Sequence, residues 1–294
     1  MKMKLFVLML IACSAQLNAQ VKKVKHIVLI GIDGLGAKAI PDGSMPELKK
    51  LMGAGSWTLK ARSVLPSSSA VNWASALMGS GPTQHGYTEW GSKTPEIPSA
   101  VTTKYGMYPG IFSAIRDQKP NAKTAVIYSW SGIKYLFEND AVTTVIDGKG
   151  KDDICTDTAA SIIKKEKPLL TFIHLSEPDN QLHGVGFMTD VYNERLKIVD
   201  KRIGRLVQAV KDAGIDKETV FLIIADHGGL GKDHGGKTLG EVLIPWVISG
   251  AGVKANNEIK DEVIIYDTAA TLAWIIGLKE PQSWRGKPII SVFK

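Results

Sequence analysis

The chain has 294 residues, 44% apolar and 22% charged, enough for one large domain with a sizeable core. Its formal charge of +7 is spread over scattered lysines and arginines with no basic stripe. That argues against a nucleic-acid polymer as partner and leaves a mild pull on small anionic substrates. Two cysteines, Cys13 and Cys155, exclude a disulfide framework.

Residues 1–19 have the pattern of an export signal. Lys2 and Lys4 form a basic start, Leu5 to Ala12 is apolar, and Leu17-Asn18-Ala19 is a small-residue cleavage site. The apolar run is too short to span a membrane. Leu10-Ile11-Ala12-Cys13 also resembles a lipobox, which would anchor the protein through a lipid on Cys13. Either reading puts a single domain, residues 20–294, outside the cytoplasm, periplasmic or secreted.

His26 to Ile32 is a continuous apolar run, the mark of a strand buried on both faces, and Asp33-Gly34 ends it. A helix is expected over Met45 to Met52, a strand over Trp57 to Val64, and a helix over Ala70 to Met78 after Ser67-Ser68-Ser69. Tyr87 to Tyr108 is loop-like. Then come a helix Ile111 to Gln118, strands Thr124 to Tyr128 and Val142 to Ile146, and a helix Asp153 to Lys165. The strand Leu169 to Leu175 runs into Ser176-Glu177-Pro178-Asp179. A long amphipathic helix, Val191 to Ala213, stops at Gly214. The strand Thr219 to Ile224 delivers Asp226-His227-Gly228, and a strand Ile244 to Ser249 and a helix Asp267 to Ile276 close the chain. Strands and helices alternate, which predicts an α/β sandwich with a mostly parallel sheet.

In such sheets ligands gather beyond the carboxyl ends of the strands. Asp33, Asp179, and Asp226 with His227 each follow an apolar strand, so three separate segments bring metal-ligand residues to one rim. Asp179 and His183 are four apart and share a face if a helical turn starts there. With His234 they make a mixed nitrogen and oxygen set that suits zinc. Asp33, Asp226 and His227 make a second set, and two adjacent ions can polarise a phosphoryl group. The nucleophile is expected among Ser67, Ser68 and Ser69, at a helix N-terminus that favours a phosphate.

In this order, Ile32-Asp33-Gly34-Leu35, Pro66-Ser67-Ser68-Ser69-Ala70-Val71-Asn72, Gly79, Pro82, His85-Gly86, Glu177-Pro178-Asp179 with His183, Asp226-His227-Gly228 and His234-Gly235 resemble the alkaline phosphatase superfamily. The chain is most similar to its nucleotide pyrophosphatase/phosphodiesterase branch over nearly its whole length. The resemblance implies an alkaline-phosphatase-like α/β fold with helices flanking the sheet, and two zinc ions. One ion would be held by Asp33, Ser69, Asp226 and His227, the other by Asp179, His183 and His234. Ser69 would attack a small phosphorylated substrate and pass through a phosphoserine intermediate. Asn72 would hold a non-bridging phosphoryl oxygen.

Two departures matter. The branch uses threonine where Ser69 stands, and it has a base-stacking aromatic where Ala70 stands. Trp73, Tyr128 or Trp130 would have to replace that aromatic. Individually Trp73, Trp90 and Trp130 are expected to pack, with one of them lining the pocket. The pocket walls are expected from Tyr87 to Tyr108 and from Ser129 to Glu138. His174 is expected in the core. A phosphomonoesterase is the nearest alternative, but no arginine lies close to Ser69 to meet the extra charge, leaving Lys93 and Lys134 as cations that could fold in. A non-catalytic metal- or glycan-binding relative would be expected to have lost a ligand or the hydroxyl, and none is lost here.

Overall fold

A computed structural model describes residues 21, 24–42 and 44–294. The expected export signal and Cys13 lie outside the described residues. Eight strands form one sheet in the order β4-β3-β5-β1-β6-β7-β2-β8. They are β1 (His26–Ile32), β2 (Gly55–Arg62), β3 (Thr124–Tyr128), β4 (Thr144–Asp147), β5 (Leu170–Leu175), β6 (Thr219–Ala225), β7 (Leu243–Gly250) and β8 (Asn257–Glu258). The helices are α1 (Ala39–Asp42), α2 (Pro46–Ala54), α3 (Ser69–Met78), α4 (Pro82–His85), α5 (Ile111–Gln118), α6 (Asp152–Glu166), α7 (Asp179–Val185), α8 (Asp190–Asp212), α9 (Leu239–Val242) and α10 (Asp267–Ile275).

The apolar runs are strands for the reason their pattern implies. Ile27 to Ile32 of β1 and all of β5 and β6 are buried, because both faces of the sheet are covered. β1 lies between β5 and β6 and runs parallel to both. β3 and β4 continue the parallel arrangement. β7 departs from it, running antiparallel to both β6 and β2, so the sheet is mostly parallel as expected.

Helices α2, α6, α7 and α8 pack together in one group, and α3, α4, α5 and α10 in another. The second group is pressed close to β1. A Cβ on Gly31 would lie 2.5 Å from Trp73 Cη2 and 3.0 Å from Phe172, so only glycine admits the Trp73 indole of α3 there. The stretch between α4 and α5 holds no helix or strand, as its composition predicts. Strand and helix ends shift by at most two residues from expectation, and the largest shift is at β2, which starts and ends two residues early.

Candidate metal centre and nucleophile

The three parallel strands β5, β1 and β6 end side by side, and each chain turn beyond them presents a polar residue. Asp33 follows β1 and is buried, with its N–H donating to Leu175 O at 2.9 Å. Gly34 has φ of 69°, and a Cβ there would lie 2.8 Å from the Asp179 Cα, so the turn needs glycine twice over. Asp226 follows β6 and is completely buried. Its Oδ1 accepts from Gly34 N at 3.1 Å and His227 N at 3.0 Å, which locks the two turns together. Helix α7 starts at Asp179 and brings His183 onto the same face one turn later, with Nε2 3.4 Å from Asp179 Oδ2. His234 arrives from the loop after β6 and stacks on His227, ring centroids 3.6 Å apart.

Ser69 opens α3, after Ser68 at the N-cap. Its Oγ lies 3.2 Å from His227 Nε2 and donates to Asp33 Oδ1 at 3.5 Å. Of the three serines, Ser69 is the one that meets the strand-end residues. The Ser67 hydroxyl instead donates to Gly236 O at 2.6 Å. All seven residues expected as ligands therefore converge: Asp33, Ser69, Asp179, His183, Asp226, His227 and His234.

The donor set fits a divalent metal. Nδ1 of His183 donates to Lys232 O at 3.0 Å, Nδ1 of His234 to Ser67 O at 3.1 Å, and Nδ1 of His227 to Gly228 O at 2.8 Å. With those protons on Nδ1, the Nε2 lone pairs point inward. The Nε2 atoms of His183 and His234 face each other at 3.2 Å, and His234 Nε2 lies 3.9 Å from Asp179 Oδ1. Donors ~2.0–2.1 Å from a tetrahedral ion stand about 3.3–3.5 Å apart, which is the spacing required. Asp179 Oδ1 and Asp226 Oδ2 are buried without a hydrogen-bond partner. Single donor atoms of Asp33, Asp226 and His227 lie within 4.8 Å of one another, as do those of Asp179, His227 and His234.

The electrostatics agree. Burial, then repulsion from Asp33, drives the Asp226 carboxyl well above the usual carboxylate range. Burial opposes charge on His227, yet Asp226 and Asp33 push its pKa up to about 10. Burial opposes ionisation of Asp33 too, but hydrogen bonds from His174 and His227 hold its pKa well below the usual range. The hydrogen bond to Asp179 raises the His183 pKa. Three carboxylates in a dry pocket create a field that favours positive charge, which is the field a metal ion needs.

His174 was expected in the core, and it is fully buried there, but it has a second task. Its Nε2 donates to Asp33 Oδ2 at 3.0 Å, and Trp73 Nε1 donates to the same oxygen at 3.4 Å. Both orient a ligand from behind. The sequence signal was its place as the penultimate residue of β5, and the register sets it beside Gly31 of β1, two residues before Asp33.

Asn72 corrects an expectation. Its Oδ1 accepts from Val64 N at 2.7 Å, and its Nδ2 donates to Val64 O, Pro66 O and Ser68 O at 3.1–3.2 Å. That amide is spent on the backbone of the serine loop and does not face the cavity. The amide that does is Asn180, beside the expected ligand Asp179, and its side chain has no protein partner among the described residues.

A cavity of about 200 Å³ opens over Ser69 and is lined by Asn180, Trp90 and Trp130 as well as the ligands. Trp90 and Trp130 come from the two segments expected to wall the pocket. Trp73 and Tyr128 are buried and line neither this cavity nor its neighbour. No lysine or arginine lines it, and Lys93 sits instead over the Tyr135 ring at 5.8 Å.

Comparison with known proteins agrees with this geometry. Residues 27–234 match the model of the type I phosphodiesterase / nucleotide pyrophosphatase family. The chain belongs to that family, a branch of the alkaline phosphatase superfamily. It is 24% identical over 216 residues to ectonucleotide pyrophosphatase/phosphodiesterase family member 1 of Mus musculus, a match over 68% of this chain and 24% of that protein. It is 25% identical over 227 residues to GPI ethanolamine phosphate transferase 1 of Aspergillus oryzae. That match covers 67% of this chain and 20% of that protein, so the family's chain here spans about a quarter or less of the length of these relatives. Among solved structures, human ectonucleotide pyrophosphatase / phosphodiesterase 5 superposes with a TM-score of 0.76 at 11% identity, covering 92% of this chain and 100% of that one. A 2-O GAG sulfatase superposes equally well, TM-score 0.76 at 13% identity, over 92% of this chain and 74% of that one. These likenesses establish the fold. No helix among the described residues is long and apolar enough to cross a membrane.

Proposed function

We propose that the protein is an exported phosphodiester hydrolase acting through Ser69 at a centre for two zinc ions. Asp33, Ser69, Asp226 and His227 would hold one ion and Asp179, His183 and His234 the other. When bound, the ions would supply charge at the phosphoryl oxygens and lower the pKa of the Ser69 hydroxyl.

The observation that carries this reading is the place of Ser69. Its Oγ stands 3.2 Å from His227 Nε2, at the first turn of a ten-residue helix whose positive dipole end favours an anionic phosphoryl group. Before attack, the hydroxyl proton is directed at Asp33 Oδ1. Attack of Oγ on phosphorus breaks the bond to the leaving alcohol, which carries off the proton that Oγ gives up, and forms a phosphoserine that still bears the second organic group. Water then cleaves that ester, releases a phosphomonoester and restores Ser69. Asn180 is the side chain placed to donate to a phosphoryl oxygen during both steps.

A diester is favoured over a monoester by charge. A monoester dianion needs a further fixed cation, and the cavity has no lysine or arginine in its lining. The test compares the metal-loaded protein on an aryl phosphodiester and the matching aryl phosphomonoester. The diester should have the higher kcat/KM, and a strong monoester preference would replace this reading with a phosphomonoesterase. Ser69→Ala should keep its metal content by elemental analysis yet lose turnover by on the order of 10³-fold or more. Undiminished hydrolysis by that variant would remove Ser69 as nucleophile.

A further inference from the structure

A second cavity, of about 590 Å³, adjoins the first and shares Trp90, His183 and His234 with it. Its remaining wall comes from Pro66, Ser68, Glu89 and Asp233. We propose that this cavity receives a neutral polyhydroxylated ring, a sugar or cyclitol, esterified to the phosphoryl group that Ser69 attacks. The inference rests on the phosphodiesterase reading and names its substrate class.

Four observations carry it. First, Ser68 is buried and its Oγ has no hydrogen-bond partner, although it borders the cavity. Buried hydroxyls are nearly always paired, so an orphan just beneath the cavity wall marks a place where a ligand hydroxyl, after a small turn of the Ser68 side chain, completes the bond. Second, the Glu89 carboxylate has no partner among the described residues, and Asp233 only accepts from His234 N at 2.9 Å. Ionised carboxylates are acceptors only, so they suit hydroxyl donors. They also repel a second phosphoryl group, which disfavours a pyrophosphate whose leaving group is itself anionic.

Third, Trp90 is 68% exposed, unusual for so large an apolar ring, yet its backbone is tied to the start of α3. Its carbonyl accepts from Ala70 N at 3.1 Å, next to the nucleophile. The negative face of an indole attracts the weakly positive C–H face of a saturated ring, and the hydroxyls of that ring then point to the polar wall. Fourth, the size disfavours the simplest cationic alternative. The cavity is far larger than a small amino alcohol, and an ammonium group brings no hydroxyl for Ser68. Ala70, where the branch has its base-stacking aromatic, is wholly buried, so Trp90 is the aromatic that this cavity offers.

The test uses metal-loaded Ser69→Ala protein, so that binding is read without turnover. Titration calorimetry compares methyl glucosyl phosphate with dimethyl phosphate, methyl phosphocholine and the methyl ester of thymidine 5′-phosphate. The glucosyl diester should bind about ten-fold more tightly than dimethyl phosphate. Adding Trp90→Ala or Glu89→Gln should remove most of that advantage. Equal affinities across the series, or tighter binding of the choline or thymidine ester, would overturn the proposal. The wild-type protein separates this from the parent reading. Hydrolysis of an aryl diester without sugar preference sinks the ring site alone. Sugar-selective binding by a protein that hydrolyses no diester sinks the phosphodiesterase reading and leaves the ring site standing.

Discussion

At the scale of single residues, the candidate ligands were legible because their chemistry is local. An aspartate or histidine in the turn after a buried apolar run is visible in sequence, and Asp33, Asp179, Asp226 and His227 all have that setting. The residues that aim those ligands were not legible, because a side chain's direction depends on packing. His174 has the pattern of an ordinary core residue of β5, and Asn72 that of a helix-start amide with a free face. Packing gave His174 to Asp33 and gave Asn72 to the loop behind the serines. His174→Ala should therefore weaken metal binding by about 10–100-fold, the usual effect of removing a group that orients a ligand. Chelator competition would measure it, and His174→Gln, which can still donate to Asp33, should recover part of the loss. Unchanged affinity in His174→Ala would leave His174 as core alone.

At the scale of elements, periodicity located the long helices and buried strands, and it could not show what holds their ends. Helix α2 has no cap from its own sequence. Instead both oxygens of Asp200, on α8, accept from Glu47 N and Leu48 N at 2.9 Å. Asp200→Ala should cost about 1–2 kcal/mol of stability by urea unfolding, as loss of a helix cap does. The loop before Asp179 is held in the same indirect way. Asp152 accepts from Ser176 N at 2.8 Å and Glu177 N at 3.2 Å, and it pairs with Arg202 of α8 at 3.0 Å. Glu138 does for α5 what Asp200 does for α2, accepting from Gly110 N at 2.6 Å while its other oxygen is buried without a partner. Burial raises its pKa. The folded state thus keeps a proton that the unfolded chain has already lost, so this group's contribution to stability falls as pH rises above the ordinary carboxylate range. Glu138→Gln cannot ionise, and its stability relative to wild type should improve as pH rises above the ordinary carboxylate range. A pH-independent difference in urea midpoints would show that Glu138 does not titrate in that window.

At the scale of the whole molecule, strand and helix alternation was enough to predict the sandwich, and strand ends were enough to predict the rim. The antiparallel β7 was invisible, because a buried apolar run looks the same in either direction. The fold brings Asp33, Asp179 and Asp226 from three distant segments into one small, dry volume. Such crowding of carboxylates opposes folding until a cation occupies it. Removing bound metal with a chelator should lower Tm and restoring zinc should raise it, in proportion to metal concentration over Kd. A Tm indifferent to metal would mean that the rim is stable without one. The bond from Ala70 N to Trp90 O has a consequence of another kind. It fastens the wall proposed to set specificity to the very residue that follows the proposed nucleophile, so the two are inherited as one part. A new substrate preference grafted in by exchanging residues 87–108 would retune the attacking serine at the same time, and relatives that differ in one should differ in the other.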